Sequence, residues 1–447
     1  MRYSSLVLVL LFGTTASAWT SYSSHQSKRA GSTTALFAST EETQKPRLNP
    51  LLDLIQPSQT VEIFSKVKEM RAEGIDVTGG LCVGEPDFGP PPEVIEASVQ
   101  ALQGGDTRYT AVTGTAPLRQ AIANDSETRK GVKYNPNTEI VVANGAKQAV
   151  YQGILAVAGV GDTVIVPAPY WPSYPEMVNL AGATPLILET TAESGYLLAP
   201  DQLRASLESN PNVKLLILCN PSNPTGGVYS KQALEGLCGV LRDFPDVYVL
   251  ADEIYDQLVY SDDESVTAAE LCPSIAAEPG MWERTLTVNG FSKAFAMTGF
   301  RLGYLAAPQS LARACTTLQS QFTSCASSVG QAAGVAALTE VKGPWLKEKV
   351  KELKQKRDLC LARLEDMPGV KVHVPPQGAF YVLPDISSYF GGDDVAFCKE
   401  LLAEQKLALV PGSSFGAPGT VRISYATSFD ELNLAMDKFA AFLEQQK

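Results

Sequence analysis

Five short runs stand out along the chain because they are apolar almost throughout: Ile140–Ala143, Thr163–Val166, Val213–Cys219, Val247–Ala251 and Thr285–Val288. A run of four to seven apolar residues bounded by turn residues reads as a strand buried on both faces. Between and around them the spacing changes. Pro92–Leu102, Pro117–Ala123 and Lys347–Leu364 carry apolar residues three and four apart, the mark of helices with one covered face. Continuously apolar strands alternating with amphipathic helices predict an α/β protein with a mostly parallel sheet covered on both sides. In open sheets of this kind ligands bind beyond the carboxyl ends of the strands, so the residues just after each run are the first candidates for chemistry.

The chain has 447 residues, more than the roughly 250–300 at which a single core stops growing, so two domains sharing an interface are expected. No internal repeat or low-complexity block appears after residue 41. Thirty-six Lys and Arg against 48 Asp and Glu leave a net charge of -12. Such a surface repels polyanions, and no basic block interrupts it, so nucleic acid and an acidic membrane are not expected partners of the mature form. A small anionic substrate would need local cations. The eight cysteines are scattered singly and the chain has only two histidines, His25 and His373. Neither a zinc site nor a disulfide framework is expected, and the thiols read as small buried hydrophobes in a reducing compartment.

The amino terminus has a different character. Arg2 precedes an apolar run, Leu6–Phe12, and Ala16-Ser17-Ala18 supplies small residues for cleavage, as in a signal peptide over residues 1–18. From Trp19 to about residue 40 the chain is rich in Ser and Thr, carries Lys28 and Arg29 and has no acidic residue before Glu41, the composition of a transit peptide. Ala18-Trp19 is similar to the cleavage motif of proteins sent to the complex plastids of diatoms and related algae. The expected destination is the plastid stroma, with ordinary secretion as the competing reading.

Four of the five runs lead into segments with chemical potential. Ile140–Ala143 ends in Asn144-Gly145-Ala146-Lys147-Gln148, a tight turn into a helix expected to begin near Gln148, where backbone N–H groups could meet an anion. Val213–Cys219 leads to Asn220-Pro221-Ser222-Asn223-Pro224, whose prolines would hold the Asn223 amide. Val247–Ala251 is followed by Asp252-Glu253-Ile254-Tyr255; an acid after a buried strand is costly unless paired, which points to a bound cation. Thr285–Val288 leads to Gly290-Phe291-Ser292-Lys293-Ala294, and desolvation among apolar neighbours would lower the pKa of Lys293 and make it a nucleophile. The fifth, Thr163–Val166, runs into Pro169-Tyr170-Trp171-Pro172-Ser173-Tyr174, an aromatic pair held by prolines, and Trp171 by itself reads more readily as core packing.

Taken together and in this order, over nearly all of residues 45 to 447, these segments resemble the class I aminotransferases of the fold-type I pyridoxal-phosphate enzymes, in the subgroup of bacterial and plastid aspartate aminotransferases. Gly84-Glu85-Pro86-Asp87-Phe88, Tyr109 and Arg422 in Val421-Arg422-Ile423-Ser424-Tyr425 match further family motifs. The resemblance implies a mostly parallel seven-stranded sheet in a large domain, residues 93–329, and a smaller α+β domain built from residues 41–92 and 330–447. It implies pyridoxal 5'-phosphate as cofactor and a homodimer with shared sites. Lys293 would hold the cofactor and shuttle the proton, Asp252 would keep the pyridine nitrogen protonated, and Tyr255 and Asn223 would bond its phenolic oxygen. Trp171 would lie on the ring. Ser292, Arg301 and the N–H groups of Ala146 and Lys147 would hold the phosphate, with Tyr109 reaching across from a second subunit. Arg422 would clamp the substrate α-carboxylate and Gly84 would leave room beside it, with Asn223 and Trp171 also against the substrate.

Residues Leu48–Thr60, Met281–Gly299 and Gln319–Ser328 look most like plant plastid enzymes that transaminate both aspartate and prephenate. In that group a Thr near the amino terminus and the Lys of the phosphate-loop turn recognise the distal acidic group of the substrate; Thr60 and Lys147 occupy those positions. The pattern departs at Phe300, where relatives commonly carry Trp, and at Gly89-Pro90-Pro91-Pro92 near the substrate entrance. A plain aspartate aminotransferase without prephenate activity, or a fold-type I enzyme of another reaction type such as a β-lyase, are the alternatives; the Arg422 clamp speaks against the second.

Overall fold

Seven strands form the main sheet of the computed structural model, which describes residues 48–446. They are β1 (Ile140–Ala143), β2 (Thr163–Ala168), β3 (Thr184–Glu189), β4 (Val213–Cys219), β5 (Tyr248–Asp252), β6 (Thr285–Gly290) and β7 (Gly303–Ala306), in the spatial order β1-β7-β6-β5-β4-β2-β3. Only β7 runs against its neighbours β6 and β1; β2, β3, β4, β5 and β6 pair in parallel. The signal-peptide and transit-peptide readings fall on residues outside those described.

The apolar runs become strands because both faces are covered. Leu215, Ile217 and Leu250 enter one core with Ala149, Val150 and Ile154 of helix Ala146–Val157. Their alternates Leu216, Leu218, Val249 and Ala251 enter another with Leu234, Leu237 and Leu241 of helix Lys231–Leu241. Successive side chains of a strand point to opposite faces, so a strand between two helical layers is apolar at every position. Two strands escaped the pattern. β3 is an edge strand with no fully buried residue, and β7 spans four residues beginning with Gly303. β2 continues beyond Val166 through Pro167, where it pairs with the edge strand β3 alone, so the missing N–H breaks no central ladder.

A second, antiparallel sheet has the order β8-β10-β9, from β8 (Tyr381–Val382), β9 (Val410–Pro411) and β10 (Val421–Ser424). Helices Gly343–Glu365, Asp394–Gln405 and Phe429–Gln445 pack on it through Leu353, Phe397, Leu401, Phe439 and Phe442. Helix Gln59–Ala72 joins it through Val67, packed with Val410 and Phe415, and Thr78 bridges to Leu407. Both ends of the described chain therefore meet on one side. Ile254, Tyr255 and Leu258, which follow β5, belong to the same apolar cluster as Tyr381 of the second sheet and Tyr425 just beyond β10. That seam opens into a cavity.

Candidate active site

The cavity has a volume of about 360 Å³ and is lined from both sheets, a size suited to a small organic ligand. Its first wall is the turn after β1. Gly145, at φ 86°, turns the chain sharply, so helix Ala146–Val157 starts two residues before the expected Gln148. Ala146 and Lys147 thus sit in its first turn, where N–H groups have no partner within the helix. The approach is tight: a Cβ on Gly303 would lie 2.7 Å from the Gly145 carbonyl carbon, and one on Gly145 would lie 2.9 Å from Cζ of Arg301. The two glycines leave a cradle bounded by a helix N-terminus and a guanidinium, with buried Ser292 on the same cavity. Arg301, in the left-handed region at φ 51°, donates to the Thr298 carbonyl over 2.9 Å. A helix N-terminus facing a guanidinium across such a cradle is suited to an anion.

Asp252 is the last residue of β5 rather than the first beyond it, and only 4% of it is exposed. Its carboxylate accepts from the Tyr174 hydroxyl at 2.7 Å and the Ile254 N–H at 3.4 Å. Both donors are neutral. Burial therefore dominates and pushes the carboxyl up to about 6. Such a group is poised to bond a protonated ring nitrogen.

Lys293 follows β6, is partly buried and donates from Nζ to the Gly84 carbonyl; the Tyr255 and Phe380 rings lie 5.7 Å from the ammonium. Burial pulls its pKa down to about 8, helped by the nearby positive charges of Arg422 and Arg301. The uncharged fraction near neutral pH is thereby far above that of an ordinary lysine, which favours a nucleophilic amine. Gly84 is also tightly packed: a Cβ there would lie 2.6 Å from the buried Tyr381 hydroxyl, which would have to shift.

Arg422, on β10, is 2% exposed and held between the rings of Tyr381 and Phe415, 4.6 and 4.9 Å from their centroids. Nη1 donates to Asn223 Oδ1 at 3.2 Å and Nη2 to the Cys82 carbonyl at 3.0 Å. Nε has no hydrogen-bond partner among the described residues. A buried guanidinium so fixed, with donor capacity unspent, has the geometry to receive a carboxylate. With Asn223 Oδ1 engaged by Arg422, what Asn223 offers a ligand is its Nδ2 donor.

Trp171 packs edge to face on Tyr174, centroids 5.3 Å apart, and the Lys147 ammonium lies 5.3 Å from the Trp171 ring, so both belong to the cavity and Trp171 is not mere core. Burial, with Arg301 adding to it, lowers the Lys147 pKa. Thr60, in the first turn of helix Gln59–Ala72, lines the same wall. The cavity thus brings together every candidate residue except Tyr109, which is 91% exposed and lies apart from it.

Among the lining residues with no role assigned from sequence, Tyr174, Tyr381 and Cys219 bear on the chemistry of the site. Tyr174 supplies the only side-chain hydrogen bond to Asp252 among the described residues. Tyr381 bonds the Tyr255 hydroxyl at 2.8 Å, and burial raises the pKa of both phenols. Cys219, opposite Asp252 in the β4–β5 pairing, has its thiol pushed up to about 12 by burial. Tyr174 could have been suspected from the Trp171-Pro172-Ser173-Tyr174 stretch. Tyr381 lies on a two-residue strand that leaves no periodic signal.

Comparison with known proteins agrees with this geometry. A family model described as aminotransferase class I and II matches residues 78–439. An aspartate aminotransferase of Pinus pinaster is 45% identical over 402 residues, 87% of this chain and 79% of its own length. A bifunctional aspartate aminotransferase and glutamate/aspartate-prephenate aminotransferase of Petunia hybrida is 43% identical over 402 residues, covering 88% and 81%. Among solved structures, the aspartate aminotransferase of Rhizobium meliloti superposes with a TM-score of 0.82 at 38% identity, covering 90% of this chain and all of that one.

Proposed function

The chain belongs to the class I and II aminotransferases, and from that premise we propose that it moves amino groups between dicarboxylic amino acids, aspartate and glutamate, and 2-oxo acids, with prephenate among its acceptors. Pyridoxal 5'-phosphate fits the cavity. The cradle at Gly145 and Gly303 with Arg301, Ser292 and the Ala146 and Lys147 N–H groups would hold its phosphate, Asp252 its ring nitrogen, and Tyr255 and Asn223 its phenolic oxygen. When bound, the cofactor supplies an aldehyde that takes up the amino group and a pyridinium ring that accepts the electron pair left at Cα.

The remaining work falls to side chains of this protein. Lys293 would hold the cofactor through its amine and, when that amine is free, would carry the proton taken from the substrate Cα. Trp171 and Tyr174 close one side of the cavity against water. Arg422 receives the α-carboxylate through its planar fork and fixes the orientation of the Cα–H bond.

The observation that carries the dicarboxylate reading is the second cation. Lys147 and the Thr60 hydroxyl line the same cavity as Arg422, so a substrate with two carboxylates finds a partner for each. The relatives' names support prephenate. The test is to offer the purified protein aspartate or glutamate with oxaloacetate, 2-oxoglutarate or prephenate in turn. Formation of arogenate is expected. Turnover of the first two acceptors without arogenate would reduce the protein to a plain aspartate aminotransferase.

Two further parts of the reading rest on sequence. Tyr109, exposed on its own chain, would complete the phosphate site of a second copy, making the working form a homodimer. Residues 1–40 would carry the protein to an algal plastid. A reporter fused to them should enter the plastid of a diatom and remain in the cytosol once Leu6–Phe12 is deleted; secretion would favour the plain signal-peptide reading.

A further inference from the structure

The loop that brings Gly84 to Lys293 is gripped from a side the cavity does not reach. Lys356, in helix Gly343–Glu365, is 1% exposed, and its ammonium lies 2.7 Å from a carboxylate oxygen of Asp87 and 2.7 Å from one of Glu352. Next to Asp87, the Phe88 ring packs edge to face on Trp345, centroids 5.7 Å apart, and the Lys349 ammonium lies 5.5 Å from it. Trp345, Lys349, Glu352 and Lys356 are spaced by four, three and four residues, so one stripe of the helix makes the whole grip.

The other end of the same loop meets the substrate machinery. The Cys82 carbonyl accepts from Arg422 Nη2 at 3.0 Å, and the Gly84 carbonyl accepts from Lys293. Between Cys82 and Phe88 the chain therefore touches the carboxylate receptor, the nucleophilic amine and the far helix. A buried ammonium must be paired with anions. Glu352, one turn earlier on the same helix, pairs with Lys356 and, at 3.5 Å, with Lys349, both on its own helix, and so ties Lys356 to nothing beyond that helix. Asp87 comes from 269 positions away and can reach Lys356 only if the loop adopts this path.

We infer that Lys356 is a positioning residue for the substrate site: through Asp87 it holds the Cys82–Phe88 loop so that the Cys82 carbonyl orients the Arg422 guanidinium. The inference rests on the reading that Arg422 receives the substrate α-carboxylate. Two variants test it. Lys356→Met keeps the aliphatic stem and removes the charge, leaving behind a partly exposed carboxylate rather than a buried one. Asp87→Asn changes a side chain that is 24% exposed, so it tests the same pairing at little risk to folding.

In the full-length enzyme, each variant should raise KM for the amino donor at least tenfold while kcat changes less than about threefold. The double variant should be no worse than the worse single, because both remove one interaction. Amide hydrogen exchange should quicken in residues 82–88 and stay unchanged in β5 and β6. Variants that only lower the melting temperature, with KM and loop exchange unaltered, overturn the inference. Aspartate and alanine both present an α-carboxylate, so KM should rise for both. A wild-type protein that turns over alanine but not aspartate would sink the dicarboxylate reading and leave this test intact.

Discussion

Asp252 and Asp256 belong to one segment, Asp252-Glu253-Ile254-Tyr255-Asp256, and are equally buried, yet they live in opposite surroundings. Asp256 points into a cluster complete within the chain. Arg129 lies 3.0 Å from its carboxylate and Lys130 3.3 Å, while Lys130 also stands 3.8 Å from Glu253. Burial works against the charge, but Arg129 and Lys130 prevail and hold Asp256 below the usual carboxylate range. The same pairing pushes Lys130 up to about 12 against the cost of burial. The widened helical turn Ser126–Lys130 lets two successive cations reach one carboxylate. Asp252 meets only neutral donors and the cavity, and its pKa moves the other way. A buried carboxylate with all its charges at hand belongs to the structure; one with a cavity where its cation should be belongs to a ligand.

The contrast can be broken or sharpened by substitution. The largest effect belongs to Lys293→Ala, which should lower amino transfer by about 10⁴-fold or more, because the other cavity lysine, Lys147, stands in the first turn of helix Ala146–Val157 beside the proposed phosphate cradle. Its melting temperature should stay near the wild type's, and near-normal turnover would end the assignment. Next comes Asp256→Ala. It removes the carboxylate that Arg129 and Lys130 share, leaving Arg129 paired with Asp125 and Lys130 with Glu253, and should cost about 3 kcal/mol of stability, read from denaturant or thermal unfolding, while kcat/KM of the folded enzyme changes little. A loss of activity without a loss of stability would erase the distinction drawn between the two acids.

The third test uses pH and protein stripped of cofactor. The folded state raises the Asp252 carboxyl from its ordinary value of 3.8 to about 6. It therefore holds that proton more tightly than the unfolded chain, and the associated stability is lost as pH rises through this window. At 1.36 kcal/mol per unit the loss is on the order of 3 kcal/mol. Asp252→Asn removes it, so the variant should gain on the wild type between pH 4 and 6 in thermal melts. For Asp256 the sign reverses: its folded value is depressed, its contribution is present at neutral pH and fades on acidification, and Asp256→Asn should cost most at pH 7. Parallel behaviour of the two variants would contradict the assigned environments.

The smallest effects concern specificity. Lys147→Ser should lower kcat/KM for aspartate and prephenate about tenfold, since a hydrogen bond to a charged group contributes about 1.5–3 kcal/mol, and leave alanine nearly untouched. Thr60→Ala should act in the same direction more weakly, because it removes one neutral hydrogen bond. Equal losses for alanine and aspartate would show that Lys147 serves the cofactor phosphate alone.

Much of this was legible in the residues themselves. The buried strands announced themselves because a strand covered on both faces is apolar at every position, and β1 and β4 fall where the runs placed them. The residues after the strands were legible because a lysine, an acid and a glycine turn at carboxyl ends are costly there without a ligand. The short strands β8 and β9 were not, since two residues carry no period, nor was the edge strand β3, whose exposed face relaxes the demand for apolar side chains. Asp252 was singled out by its place after a buried strand, but the sequence did not show that Asp256 and Glu253 would find their cations in Arg129 and Lys130. β5 ends at Asp252 and residues 254–257 form a turn, so no strand alternation relates the two acids, and which of them meets Arg129 and Lys130 depends on where the distant turn Ser126–Lys130 packs. The same holds for Lys356 and Asp87, for Tyr381 against Gly84, and for the two carbonyls that hold Lys293 and Arg422. The sequence determined which residues must be buried and which chemistries must be paired; only the tertiary structure decided the partners, because pairing energies act over a few ångströms and the partners lie hundreds of positions apart.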